Sequence, residues 1–285
     1  MIRTIILSVL LTPALLATAQ TSPPPPVKLI LVQQSTRTIH DVTKRLDGKP
    51  SVVEQTWQKL ADETKLFKVE IIDDCKLLTP QKLKEAKIVA LYTSRDVPLD
   101  VDAFTKWIED GGFFIGTHTP TNTRMTDPKW HNVVDGIFDE HPWTSQTKVS
   151  IKTDEPPDHM HPAAKPFAPG DTFLEEIYRE KDVNYDKIRV LISLDMEKTK
   201  LKYPLHVPIA WCKTMGKGKV FCTALGHRQD MWENPKYQQH LIGAVRWGLG
   251  LEEADVTPNP QVHVVEEELA KKATASTQPS AGAAK

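Results

Sequence analysis

The sequence predicts an α/β protein built on a mostly parallel central sheet with helices on both faces. Three observations carry this. Between residues 27 and 115, short apolar runs alternate with segments of helical periodicity. The helical segments open on residues that cap helices, and one of them closes on glycines. An amphipathic stretch over 235–249 then closes the fold. Strand–helix alternation of this kind implies crossover units, and so parallel strands covered on both sides.

The elements follow in order. Residues 1–19 read as a signal peptide: Arg3 gives a positive start, 5–16 is an apolar run, and Ala17-Thr18-Ala19 is a small-residue cleavage site. The run is too short for a comfortable membrane span. Residues 20–26 form a proline-rich linker containing Pro23 to Pro26, a stiff extended spacer. VKLILVQ (27–33) is a buried first strand. SVVEQTWQKLADET (51–64) is a helix, with Ser51 as N-cap and Glu54 completing a capping box. A strand follows at 67–72. TPQKLK (79–84) then starts a helix with Thr79 as cap and proline in the first helical position. KIVALY (87–92) is a third strand, and 99–110 is a helix stopped by Gly111-Gly112. The fourth strand, 113–115, runs into Gly116-Thr117-His118.

Residues 119–185 are rich in Pro, His, Asp and Trp and read mostly as loops with short strands. An insertion of that length in a compact domain is usually functional. Order returns at 190–194, then at 207–212 and 219–224, joined by a glycine-containing turn. Leu241, Val245 and Leu249 form one stripe of the closing helix. The domain therefore spans 27–250, and the Ala/Ser/Thr/Lys-rich tail at 251–285 is expected to be disordered.

The formal net charge of -1 gives no field for nucleic acid or an acidic membrane surface. No basic stripe with interleaved aromatics occurs, so nucleic acid is excluded as a partner, and no membrane association is expected after signal cleavage. The signal peptide implies a periplasmic or secreted protein. Cys75, Cys212 and Cys222 are odd in number and read as buried small hydrophobes. No Walker loop, G-x-G-x-x-G, H-E-x-x-H or G-x-S-x-G is present.

In open α/β sheets ligands bind beyond the carboxyl ends of the strands, so the residues that follow each strand are the candidates. His118 sits at a glycine-assisted turn like a nucleophile elbow, but with histidine at its tip. That suits a metal ligand or a general acid/base. His227 follows Gly226 at the end of another strand and echoes it. His141, stiffened by Pro142, adjoins Trp143, whose flat face suits a sugar ring. LEEIY (174–178) reads as a strand, so only one of Glu175 and Glu176 faces the cleft, with Tyr178 on the Glu176 side. His40 follows the first strand's loop and overhangs the crevice. Weaker candidates are Asp158, His159 and His161 as a loop metal cluster, and His131 and His206; His240 reads as structural.

These stretches resemble the ThuA-like (trehalose-utilisation) family: FFIGTHTPT (113–121), VVDGIFDEHPW (133–143), HPAAKPF (161–167), EEIY (175–178), PIAWCKTMGKGKVFCTALGH (208–227) and YQQHLIGAVRWGLG (237–250). The resemblance implies a flavodoxin-like three-layer sandwich of the class I glutamine amidotransferase type. In those enzymes the elbow carries a catalytic cysteine; here His118 stands there, so cysteine-dependent amidotransfer is excluded. It further implies a small carbohydrate ligand, a disaccharide or 3-keto-glycoside. The chemistry would be isomerisation or a lyase step through an enediolate, with His118, His227, Glu175 and Glu176 as catalytic groups and His40, His141, Trp143 and Tyr178 contacting substrate. His118, His141 and His227 could instead hold a divalent metal, Mn or Zn. A non-catalytic carbohydrate- or metal-binding protein is the alternative. The sequence departs from the family at the first loop, QQSTRTIH, which keeps His40 without the usual glycines, and at the elbow, GTHTPT in place of the more frequent GIHSA.

Overall fold

A computed structural model describes residues 25–200, 206–264 and 268. The expected signal peptide and most of the linker lie outside the described residues. The elements run β1 (Val27–Ser35), α1 (Val52–Thr64), β2 (Phe67–Ile72), α2 (Pro80–Lys84), β3 (Ile88–Ser94), α3 (Val101–Glu109), β4 (Phe113–Thr117), α4 (Pro128–Val134), β5 (Ile137–Trp143) and β6 (Lys148–Thr153). They continue with β7 (Thr172–Leu174), β8 (Ile177–Lys181), β9 (Arg189–Leu194), β10 (Pro208–Met215), β11 (Gly218–Thr223), α5 (Gln229–Glu233) and α6 (Pro235–Gly248).

Nine strands form one sheet in the order β2-β1-β3-β4-β11-β10-β9-β6-β7. The strands from β2 to β11 pair in parallel. Beyond β11 the pairs are antiparallel. The apolar run of β1 explains the layers. Leu29 and Leu31 face one side with Trp57 and Leu241, while Ile30 and Val32 face the other with Phe104 and Trp130. Period-two alternation thus makes a continuous apolar strand bury both faces. The result is the three-layer, flavodoxin-like α/β sandwich that the sequence predicts.

The local signals read from the sequence are present as side-chain bonds. Ser51 Oγ accepts from Glu54 N at 3.2 Å, and Glu54 returns a bond to Ser51 N at 2.6 Å. Thr79 caps α2. The three cysteines are buried and free, and Cys222 stands opposite Trp211 instead of Cys212.

Three expectations need correction. Residues 174–178 are not one strand: β7 ends at Leu174, β8 starts at Ile177, and Glu175 and Glu176 form the irregular step between them. The insertion after Thr119 contains α4, which Asp127 caps through Lys129 N with proline at its start. The first part of the tail is packed against the sheet. Asn259 accepts from Val190 N at 2.8 Å and donates to Val190 O at 2.9 Å, and Arg189 pairs with Asp255 at 3.0 Å. Among the described residues no helix is long and apolar enough to cross a membrane.

Candidate functional site

The carboxyl ends of β1, β3, β4 and β11 open on one cleft of about 260 Å³. A two-stranded ribbon of β5 and β8 lies beside it. Each element delivers one group. His40 follows β1 at the start of a short helical turn, where Thr43 bonds back to its carbonyl. His118 follows β4 with φ 57°, in the left-handed region, and its N–H is pinned to Thr223 O at 2.7 Å. A non-glycine residue held there is strained, and such strain collects at functional turns. A Cβ on the preceding Gly116 would meet Pro120 at 2.6 Å, so the tight turn needs glycine. His227 follows β11 after Gly226, which has φ 116°. Glu176 comes from the step before β8.

These four side chains converge. One ligand atom from each of His40, His118, Glu176 and His227 lies within 4.8 Å of the others. The His118 and His227 ring centroids are 5.1 Å apart, and His40 lies 5.0 Å from His118 and 5.4 Å from His227. Glu176 is 3.6 Å from His118 Nε2 and 3.7 Å from His227 Nε2.

The donor set fits a cation. His118 Nδ1 donates to Ala224 O at 3.0 Å, because a carbonyl can only accept. In the neutral ring Nε2 then carries the lone pair; it is buried, has no hydrogen-bond partner, and faces the Glu176 carboxylate. A neutral ring would face the carboxylate with a lone pair, an arrangement that a cation relieves, either a metal ion or a proton on Nε2. Ligands about 2.1 Å from an ion at the tetrahedral angle lie about 3.4 Å apart, close to the 3.6 and 3.7 Å that separate Glu176 from His118 and His227.

The electrostatics agree. Burial pulls His40 down to about 3, with the facing His118 and His227 adding to it. Burial, then His118, pull His227 down to about 4. Both rings are neutral at pH 7. Burial opposes the charge on Glu176, but the facing imidazoles of His118, His227 and His141, in their protonated forms, outweigh it and hold the carboxyl below its usual value. Burial pushes the Tyr178 phenol far up, partly offset by Asn122, so Tyr178 stays protonated. Its ring packs 4.7 Å from His118 and 4.5 Å from Phe138.

A model of the ThuA family, described as trehalose utilisation, matches residues 39–248. The chain belongs to the ThuA family. This ThuA chain shares its fold with a ThuA-like protein from Bacteroides uniformis (TM-score 0.65, 21% identity, 86% of this chain and 100% of that one). A ThuA-like protein from Parabacteroides merdae follows (0.61, 12%, 84% and 99%), as does a cytoplasmic protein from Salmonella typhimurium (0.51, 10%, 76% and 98%). No curated protein matches the chain.

Several expected residues of the ThuA chain stand elsewhere. His141 is on the rim, 53% exposed, with Nδ1 4.0 Å from Glu176, and lies outside the four-ligand group. His40 and Glu176, expected in other roles, are inside it. Glu175 does not line the cleft: it is fully buried and accepts from His227 N at 2.7 Å, and also from Arg228 N. It braces the turn that carries His227. Trp143 is a core residue, 1% exposed, donating to Lys200 O at 3.1 Å, so its face is not offered to a ligand. His161 and His240 are buried, with His240 between Ala163 O and Thr223 Oγ1. His206 bonds Ser193 and Tyr185, and His131 caps Met125 O. Asp158 and His159 are an exposed pair, apart from the described metal-competent group. Tyr92, Arg95, Asn122 and Phe138 were not anticipated. Arg95 directly follows a buried strand, and the rule used for His118 would have found it.

Proposed function

We propose that this ThuA chain is an exported enzyme of disaccharide metabolism, acting on a 3-keto-glycoside through an enediolate, with a divalent ion held by His40, His118, His227 and Glu176. The observation that carries this reading is the meeting of four ligand atoms from four separate segments within 4.8 Å. Three imidazoles and one carboxylate suit Zn or Mn. Bound there, such an ion supplies Lewis acidity toward a carbonyl oxygen. Export rests on the signal-like first nineteen residues.

The protein groups have distinct tasks. A C–H beside a sugar carbonyl becomes removable when the developing oxyanion is stabilised. His141, half-exposed at the rim and 4.0 Å from Glu176, is placed to move that proton to solvent. Tyr178 and Phe138 form an apolar wall for the sugar ring, and the protonated phenol of Tyr178 is a donor. Clefts of about 450 and 430 Å³ adjoin the central one, sharing His40 and His227 with it, and leave room for a second sugar unit.

The test is incubation of the Mn- or Zn-loaded protein with a 3-keto-disaccharide in deuterated water. Deuterium should enter beside the carbonyl, and His118→Ala should abolish this. Metal uptake without exchange or product would refute the enzyme reading and leave a sugar- or metal-binding protein.

A further inference from the structure

Arg95 stands at the end of β3, in the wall of the same cleft. Its φ is 66°, a conformation that L residues other than asparagine and aspartate rarely adopt. The backbone is clamped there. Arg95 N donates to Asn122 O at 2.7 Å, and its carbonyl accepts from Arg124 N and Val97 N, both at 3.0 Å. The guanidinium carbon lies 5.9 Å from the Phe138 ring centroid, and Nη1 reaches only Met125 Sδ, a weak acceptor, at 3.5 Å. Among the described residues no carboxylate pairs with it, whereas Arg45, Arg124, Arg189 and Arg228 each hold one. Asp41, in the same wall, is occupied by Lys44 and 91% exposed. Asn122, beside Arg95 in the wall, has a buried Oδ1 with no partner.

A guanidinium lying on an aromatic face keeps its edge free for two parallel bonds to a carboxylate. The geometry points to a substrate that carries a carboxylate, a sugar acid derivative, anchored by Arg95 while its reacting carbonyl faces the four-ligand cluster. This rests on the keto-sugar reading above and specifies its substrate class. One uncompensated positive charge matches one carboxylate better than a phosphate dianion. The cleft's 260 Å³ equals roughly nine waters at about 30 Å³ each, which is room for one sugar ring.

The experiment uses the full chain, with and without Mn, titrated calorimetrically with glucuronate, glucose and glucose 6-phosphate. Wild type should bind glucuronate at least about tenfold tighter than glucose, which is the order expected of one charge-assisted bidentate pair. Arg95→Gln should remove that advantage, and Arg95→Lys should keep part of it. Arg95→Gly should melt no lower than wild type, since glycine accepts the left-handed backbone; a merely structural arginine would lower the midpoint. Equal binding of glucose and glucuronate, a preference surviving Arg95→Gln, tighter binding of glucose 6-phosphate, or no binding of any probe would each overturn the proposal. Metal content, measured first, separates the two readings. A chain that takes up no Mn but keeps an Arg95-dependent preference for glucuronate sinks the metal centre and leaves the carboxylate anchor standing.

Discussion

Arg45 ties the loop that carries His40 to the body of the protein. Its Nε reaches Glu54 Oε1 at 2.8 Å and Oε2 at 3.1 Å, and its Nη atoms hold Asp73 at 2.8 Å. Glu54 is 1% exposed and caps α1, while Arg45 is 42% exposed. In Arg45→Met, Glu54 keeps only its bond to Ser51 N and becomes a buried, largely unpaired charge. Breaking a fully buried pair costs about 3–5 kcal/mol. The partial exposure of Arg45 admits water and reduces this to about 2 kcal/mol. For a domain of this size that lowers the melting midpoint by about 4–8 °C. Because the loop positions His40, metal affinity should fall by about tenfold, as for other groups that orient a ligand. Arg45→Met with Glu54→Gln removes the stranded charge and should regain at least half of the lost stability. Differential scanning fluorimetry and Mn titration of the wild type, both singles and the double read this directly. A double variant no more stable than Arg45→Met, or a single variant with unchanged melting, would refute the reasoning.

Three other outcomes are expected. Burial raises Asp154 from 3.8 to about 6, so the native state holds a proton that the unfolded state releases. The associated stability, about 3 kcal/mol, is complete below pH 4 and is lost as the pH climbs through 6; chemical denaturation of Asp154→Asn across pH 4–8 should show this slope flattened, and an unchanged slope would count against it. Asn259→Ala strands the N–H and C=O of Val190 and should cost about 2–4 kcal/mol by denaturant melting; a dispensable tail would show no loss. Trp143→Phe should destabilise the core by about 1–3 kcal/mol while leaving sugar affinity unchanged in calorimetry, because Trp143 is 1% exposed and does not face the cleft.

Much of the parallel half of the sheet was legible because each element there announces itself locally. The capping pair Ser51–Glu54, Thr79 before Pro80, and apolar runs such as 88–92 need no distant partner to be read. The placement of His118 and His227 was legible for a topological reason, since both follow neighbouring parallel strands, β4 and β11, and so share one rim of the sheet. What lay beyond reach depends on long-range packing. Whether Trp143 faces a sugar or the core is set by where the β5–β8 ribbon folds. Glu175 and Glu176 part ways because the chain steps from β7 to β8 between them, a break that a period-two pattern does not reveal. His40 joins the cluster because a loop of mixed polarity bends back over the sheet, pinned by Arg45 to Glu54 and Asp73.

The most direct measurement is the metal content of the purified chain, followed by anomalous diffraction at the absorption edge of the metal found. One divalent ion per chain is expected, bonded to His40, His118, His227 and Glu176 at about 2.0–2.2 Å and lost in His118→Ala. A chain that refuses Mn and Zn while all four side chains are intact, or an ion seated at another cluster, would contradict the metal centre.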